Sequence, residues 1–143
     1  MDTIDAAKRS WTMAQVKSRD TRPEKQVRSL LHRMGYRFRL HRRDLPGKPD
    51  IVLPKYQAVI FVHGCWWHRH DCFNGQRLPK SRLDFWLPKL EGNRERDLRN
   101  QALLRKMGWN VLVIWECMLK KEEPLRNMIQ QFLTTTDEHK NSI

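Results

Sequence analysis

Two uninterrupted apolar runs, Ile51-Val52-Leu53 and Ala58-Val59-Ile60-Phe61-Val62, are separated by only four residues, and nothing else constrains the fold of this chain as strongly. The gap, Pro54-Lys55-Tyr56-Gln57, has room for a short turn, so the runs are expected to be adjacent strands. Neither alternates with polar residues, which is the pattern of central strands covered on both faces. What borders the pair is less common. Pro49-Asp50 opens the first strand and fixes an isolated carboxylate at its end. The second strand leads straight into His63-Gly64-Cys65-Trp66-Trp67-His68-Arg69-His70-Asp71-Cys72, which gathers three histidines, two thiols and an aromatic pair in one stretch.

The remaining segments supply layers for this sheet. Thr21-Arg22-Pro23-Glu24 has a capping-box form with Pro inside the first turn. Val27, Leu30, Leu31 and Met34 then follow at helical spacing before Gly35. Tyr36, Phe38 and Leu40 alternate with Arg37, Arg39 and His41, which predicts a half-buried strand with a basic outer face; Leu45-Pro46-Gly47 reads as a turn. Ser81-Arg82-Leu83-Asp84 again resembles a capping box, and the helix it opens should break or restart near Pro88 and stop at Gly108. A buried strand is expected from Trp109 to Trp115. A last amphipathic helix carries Leu125, Met128, Ile129, Phe132 and Leu133, with a frayed polar tail from Thr134. The expected fold is a single α/β domain with a central mixed sheet flanked by helices.

Lys and Arg number 28 against 16 acidic residues in a chain of 143, a formal net charge of +12. That balance favours a polyanionic partner, because neutralising phosphates releases condensed counterions. No stretch approaches the length of a transmembrane helix, and Met1-Asp2-Thr3-Ile4-Asp5 lacks the basic-then-apolar order of a secretory signal, so an intracellular protein is expected. Three cysteines do not make a disulfide framework. Cys65, His70 and Cys72 are spaced C-x4-H-x-C, and a tetrahedral zinc site needs one more ligand, for which Cys117 is the remaining cysteine. His63 and His68 are then free for other work.

Pro49-Asp50, His63-Gly64-Cys65-Trp66-Trp67-His68, His70, Cys72, Asn93-x-x-x-Asp97 and Trp115-Glu116-Cys117 together resemble the very short patch repair (Vsr-type) mismatch endonucleases, over roughly residues 8 to 118. The wider group is restriction-endonuclease-like and usually continues from Pro-Asp to Glu-x-Lys. Here Val62-His63-Gly64 stands in that place, a departure shared by the Vsr-type group. The resemblance implies a basic DNA-contacting segment over residues 1–20, a nuclease domain over 21–133 and a polar tail over 134–143.

Phosphodiester hydrolysis calls for a hard cation, and Asp50 is the carboxylate expected to ligate Mg²⁺. By resemblance the Val62 backbone carbonyl is a second ligand. His68 is the acid/base candidate, its imidazole titrating nearest neutrality, and the family pattern pairs it with Asp97. His63 would contact the scissile phosphate or the attacking water. Glu24 has two readings: the capping carboxylate of the first helix, or a group reaching a metal-bound water.

Adjacent Trp66 and Trp67 cannot both face one core, so at least one should be exposed and suited to wedge between base steps. By resemblance Trp86 stands beside them, and Met13 enters from the opposite groove. Lys89 and Asn93 lie four apart on one helix face; by charge alone that is a solvated face, and by resemblance the two would read a T:G mispair. The arginines at 37, 39, 42, 43, 94 and 96 form a phosphate-binding field.

The expected activity is Mg²⁺-dependent nicking 5′ of the mismatched thymine in double-stranded DNA, in a protein with one structural Zn²⁺. The resemblance places it in the bacterial cytoplasm as a DNA-associated monomer, linked to a cytosine-5 methyltransferase and to methyl-directed mismatch-repair proteins. The alternatives are a nuclease of broader mismatch or site specificity and a non-catalytic zinc-braced DNA-binding protein.

Overall fold

The computed structural model describes residues 21–78 and 81–141. The basic N-terminal segment, including Met13, lies outside the described residues. Chain order is α1 (Arg22–Arg33), β1 (Arg39–Leu40), β2 (Ile51–Leu53), β3 (Ala58–His63), a single turn α2 (Phe73–Gln76), the long α3 (Leu83–Lys106), β4 (Asn110–Trp115) and α4 (Glu122–Asn141). The strands form one sheet in the order β1-β2-β3-β4. β1 and β2 pair antiparallel, as do β2 and β3, and β4 is parallel to β3, to which α3 supplies the crossover. This is the mixed α/β sheet the sequence predicted.

Every residue of β2 and β3 is buried, yet their side chains divide between two faces with period two. Ile51, Leu53, Ala58, Ile60 and Val62 pack with Val27, Leu30 and Leu31 of α1 and with Leu125, Ile129 and Leu133 of α4. Val52, Val59 and Phe61 pack on the other side with Leu45 and with Leu104 of α3. His63 is the next residue on that second face, so β3 delivers its imidazole toward the helix that carries Asp97.

Two helices stop as the sequence predicts. At α1 the Gly35 amide donates to His32 and the Tyr36 amide to Leu31; at α3 the Gly108 amide donates to Arg105 and the Trp109 amide to Leu104. Both are Schellman closures with a left-handed glycine, φ +88° and +97°.

Other expectations are corrected. The strand predicted over Tyr36 to Leu40 pairs only at Arg39 and Leu40; Leu40 is exposed, and the alternation ends where His41 takes φ +50°. The capping box at Ser81 does not form: Arg82, in a left-handed conformation without a side-chain cap bond, precedes α3. Nor does Pro88 interrupt that helix. The amide it lacks would have served the carbonyl of Asp84, and both residues are exposed, so water can serve that carbonyl instead. β4 is an edge strand and only half-buried apart from Ile114. The last helix does not end at Thr134 but continues to Asn141.

Candidate active site

A cleft of about 1100 Å³ opens where β2 begins and β3 ends. Asp50 precedes β2, and its Oδ2 accepts the Val62 amide at 2.8 Å. An extended residue sends its N–H and C=O to the same edge. The Val62 carbonyl therefore leaves β3 on the side where Asp50 stands. Burial pushes the Asp50 carboxyl up to about 7; the Val62 amide works against this, neighbouring Glu24 adds to it and the Arg28 guanidinium opposes it.

Glu24 makes a capping contact and also faces the cleft. Its amide donates to Thr21 Oγ1 at 3.3 Å, half of a capping box, while its carboxylate is buried in the cleft wall and accepts from Arg28 at 2.9 Å. Ligand atoms of Glu24, His41 and Asp50 lie within 4.8 Å of one another. A buried carboxyl group, Glu24, beside the half-buried Asp50, which ionises only near neutrality, forms an oxygen-rich donor set that fits a hard divalent cation. Arg28 and His41 were not foreseen as site residues. In sequence, His41 reads as the outer face of a strand, and only its positive φ turns it inward.

The loop after β3 is a series of tight turns, with the amides of His68, Arg69 and His70 donating to Gly64, Trp66 and Cys65. It brings His68 back over β3, where its ring stacks on His63, centroids 3.9 Å apart and planes 6° from parallel. His68 Nδ1 is hydrogen-bonded to Asp97 Oδ2 across to α3. Nδ1 thus carries the proton and Nε2 is left as the basic nitrogen. His63 is buried, its Nδ1 has no hydrogen-bond partner, and burial, then the neighbouring His68, push its pKa down to about 3. It is a neutral ring at working pH.

Cys65, His70, Cys72 and Cys117 form a second cluster, again with all ligand atoms within 4.8 Å. Cys117 Sγ and His70 Nδ1 are 3.6 Å apart. A tetrahedron with zinc–sulfur and zinc–nitrogen bonds of ordinary length has an S···N edge of about 3.6 Å. His70 Nε2 lies 3.3 Å from the Asp71 carboxylate, the usual outer partner of a zinc-bound imidazole. Burial, then the surrounding thiols, push Cys65 up to about 12. The Cys3His set is consistent with zinc. Gly75 went unnoticed in the sequence: a Cβ there would lie 1.8 Å from the His70 carbonyl oxygen, so the loop closes only on glycine. Trp115 joins the two clusters, stacked on His70 at 4.2 Å and edge-on to His63 at 5.2 Å.

Trp66, Trp67 and Trp86 gather at the mouth of the loop with centroids 4.9 to 5.9 Å apart. The expectation that one of the adjacent pair would be exposed is corrected: both are half-buried, because the three indoles cover one another. Lys89 Nζ lies 5.5 Å from the Trp86 ring centroid. Asn93 donates to the Trp67 carbonyl at 3.3 Å and accepts from Arg96 at 3.1 Å, so α3 and the aromatic cluster are tied together. Arg42, expected in the phosphate field, is instead engaged by Asp44 through two hydrogen bonds. Arg43 and Lys48 line the cleft.

A mixed α/β sheet with a carboxylate at a strand end, facing a histidine–aspartate pair across a cleft, is an arrangement suited to hydrolysing a phosphodiester. The comparisons narrow this. Residues 1–74 match the family model described as DNA mismatch endonuclease Vsr. A type II nicking enzyme, V.XorIIP of Xanthomonas oryzae pv. oryzae, is 57% identical over 132 residues, covering 90% of this chain and 96% of that protein. The DNA mismatch endonuclease Vsr of Escherichia coli K12 is 45% identical over 124 residues, covering 87% and 79%. Among solved structures, the catalytic domain of the homing endonuclease I-Bth0305I superposes with a TM-score of 0.57 at 21% identity, over 82% of this chain and 98% of that one, a likeness of fold. The chain belongs to the Vsr family of DNA mismatch endonucleases, hydrolases that act on DNA phosphodiester bonds. Membership sets aside the non-catalytic reading.

Proposed function

We propose that this enzyme nicks one strand of duplex DNA at a T:G mispair, cutting 5′ of the mismatched thymine to leave 3′-hydroxyl and 5′-phosphate ends. The observation that carries the proposal is that Asp50, Glu24, His63, His68 and Asp97 line the same cleft as Trp67 and Asn93. Groups suited to hydrolysis and groups suited to reading a distorted base pair thus face one substrate.

Asp50 and the Val62 carbonyl would hold Mg²⁺, with Glu24 placed to order its water. When bound, the cation supplies positive charge at the phosphoryl oxygen and acidifies water. Asp97 holds His68 in the tautomer whose Nε2 accepts a proton, so His68 acts as base toward the attacking water. Neutral His63, its Nδ1 unsatisfied, serves as a hydrogen-bonding group for the scissile phosphate or that water.

Trp66, Trp67 and Trp86 wedge into the duplex, with Met13 approaching from the other groove. Unstacking costs a few kcal/mol per step and least at a mispair, so the wedge favours mismatches before any base edge is read. Lys89 and Asn93 then read the T:G edges. Several relatives are named nicking enzymes, which supports a single-strand cut. The setting proposed is correction of deaminated 5-methylcytosine beside a cytosine-5 methyltransferase, with methyl-directed repair proteins as partners.

The test is cleavage of end-labelled duplexes in Mg²⁺, one with a T:G mispair and one fully paired, by wild type and Asp50→Ala. A nick in the thymine strand of the mispaired duplex, lost in the variant, is expected. Equal cutting of both duplexes would remove the mismatch specificity.

A further inference from the structure

We propose that Arg28 is a built-in counter-cation for the Glu24–Asp50 carboxylate pair, aligned by His41, and that it makes metal loading wait for the DNA phosphate. The inference rests on the assignment of Asp50 as the Mg²⁺ ligand and adds how loading of that site is regulated.

Arg28 stands one turn after Glu24 on α1. Its Nη2 donates to Glu24 Oε2 at 2.9 Å and lies 2.9 Å from His41 Nε2, while His41 Nε2 is 3.6 Å from Glu24 Oε2. The Glu24 side chain is 3% exposed, that of Arg28 15% and that of His41 19%. A guanidinium has only donors and keeps its charge, so His41 must offer Nε2 as an acceptor and carry its proton on Nδ1. His41 packs against both the guanidinium and the Glu24 carboxylate, and its Nε2 is engaged by Arg28 rather than offered to a metal. Arg28 is not among the described residues that line the cleft, whereas Glu24 is.

The charge balance follows. Two ionised carboxylates and one guanidinium leave a single negative charge. A divalent cation entering alone would turn this into one positive charge in a poorly solvated wall; entering with a phosphodiester, it leaves the site neutral. Without Arg28 the pair would carry two negative charges and attract a free cation outright. The fixed guanidinium thus lowers metal affinity in the empty cleft and restores it when a phosphate arrives.

Mn²⁺ binding to the zinc-loaded protein at pH 8, followed by loss of the free-ion EPR signal, tests this. Wild type should bind Mn²⁺ at least tenfold more weakly alone than on a pre-nicked T:G duplex. Arg28→Gln, neutral but still able to donate to Glu24, should bind Mn²⁺ without DNA at least tenfold more tightly than wild type, and Arg28→Lys should resemble wild type. A merely structural role for Arg28 would weaken binding in Arg28→Gln. Unchanged or weaker binding in folded Arg28→Gln overturns the proposal. So does wild-type affinity that is the same with and without duplex, a result that needs no variant. Asp50→Ala should abolish binding in both states; if it did not, the assignment of Asp50 would fall and the proposal with it, a failure distinct from one confined to Arg28.

Discussion

Asp50 is held in a way that serves chemistry at the expense of stability. Its carboxyl, raised to about 7, takes up a proton in the folded protein at pH values where the unfolded chain has already lost it. A raised acid destabilises the fold progressively as pH climbs from about 4 to 7, fully above that, and not at all below about 4. Asp50→Asn keeps an acceptor for the Val62 amide and has no charge to bury. Without Mg²⁺ it should be more stable than wild type at pH 8 by about 2–4 kcal/mol, given about 1.4 kcal/mol per pKa unit. That gain should shrink to nothing by pH 4 in paired denaturant titrations, while nicking is lost at every pH. A constant gain across the range would mean that burial of this carboxylate is not the cause. Asp97 makes a separate prediction. Asp97→Asn leaves His68 free to take the wrong tautomer and should slow nicking by about 10²- to 10⁴-fold with DNA affinity within a factor of two, as gel shifts beside single-turnover assays would show.

At the scale of elements, the Cys/His loop is a device for folding a strand end back over itself. Cys65 and Cys72 close it, Cys117 sets it beside the end of β4, and Trp115 packs between His70 of the loop and His63 in the cleft. Because the Gly75 Cβ position falls on the His70 carbonyl, Gly75→Ala should displace a zinc ligand rather than merely strain a turn. The variant should carry well under one zinc per chain by elemental analysis and lose nicking with it. Full zinc occupancy would show that the loop can close another way. Most of this element was legible in sequence: C-x4-H-x-C with one cysteine left over names its ligands, and the apolar runs name the strands that carry it. The hydrophobic pattern likewise located α1 and α4, while α3 was marked by Gly108 at its end. What stayed hidden depended on single backbone angles and on packing. His41 reads as an outward strand residue until φ +50° reverses it, and Gly75 is one glycine among polar neighbours until the close approach of His70 is seen. Pro88 signalled a break that solvent exposure of its turn makes unnecessary.

Over the whole molecule, a net charge of +12 and a cleft with Trp67 in its lining should divide the work of binding into two parts that salt can separate. Contacts to phosphate release counterions and are blind to sequence, whereas the cost of opening the stack depends on the base pair and releases none. Plots of log K against log salt for a T:G duplex and its fully paired counterpart, with Ca²⁺ in place of Mg²⁺, should therefore be parallel lines offset vertically. Arg43→Ala and Lys48→Ala, at the cleft rim, should each reduce the slope of both lines by about 1 and leave the offset unchanged. Trp67→Ala should do the reverse, collapsing the offset while keeping the slope. The offset should fall by a few kcal/mol at most, the scale of one unstacked step. A steeper line for the mispaired duplex would assign mismatch preference to additional ionic contacts made only there, and the aromatic cluster would then be packing rather than a reader of DNA.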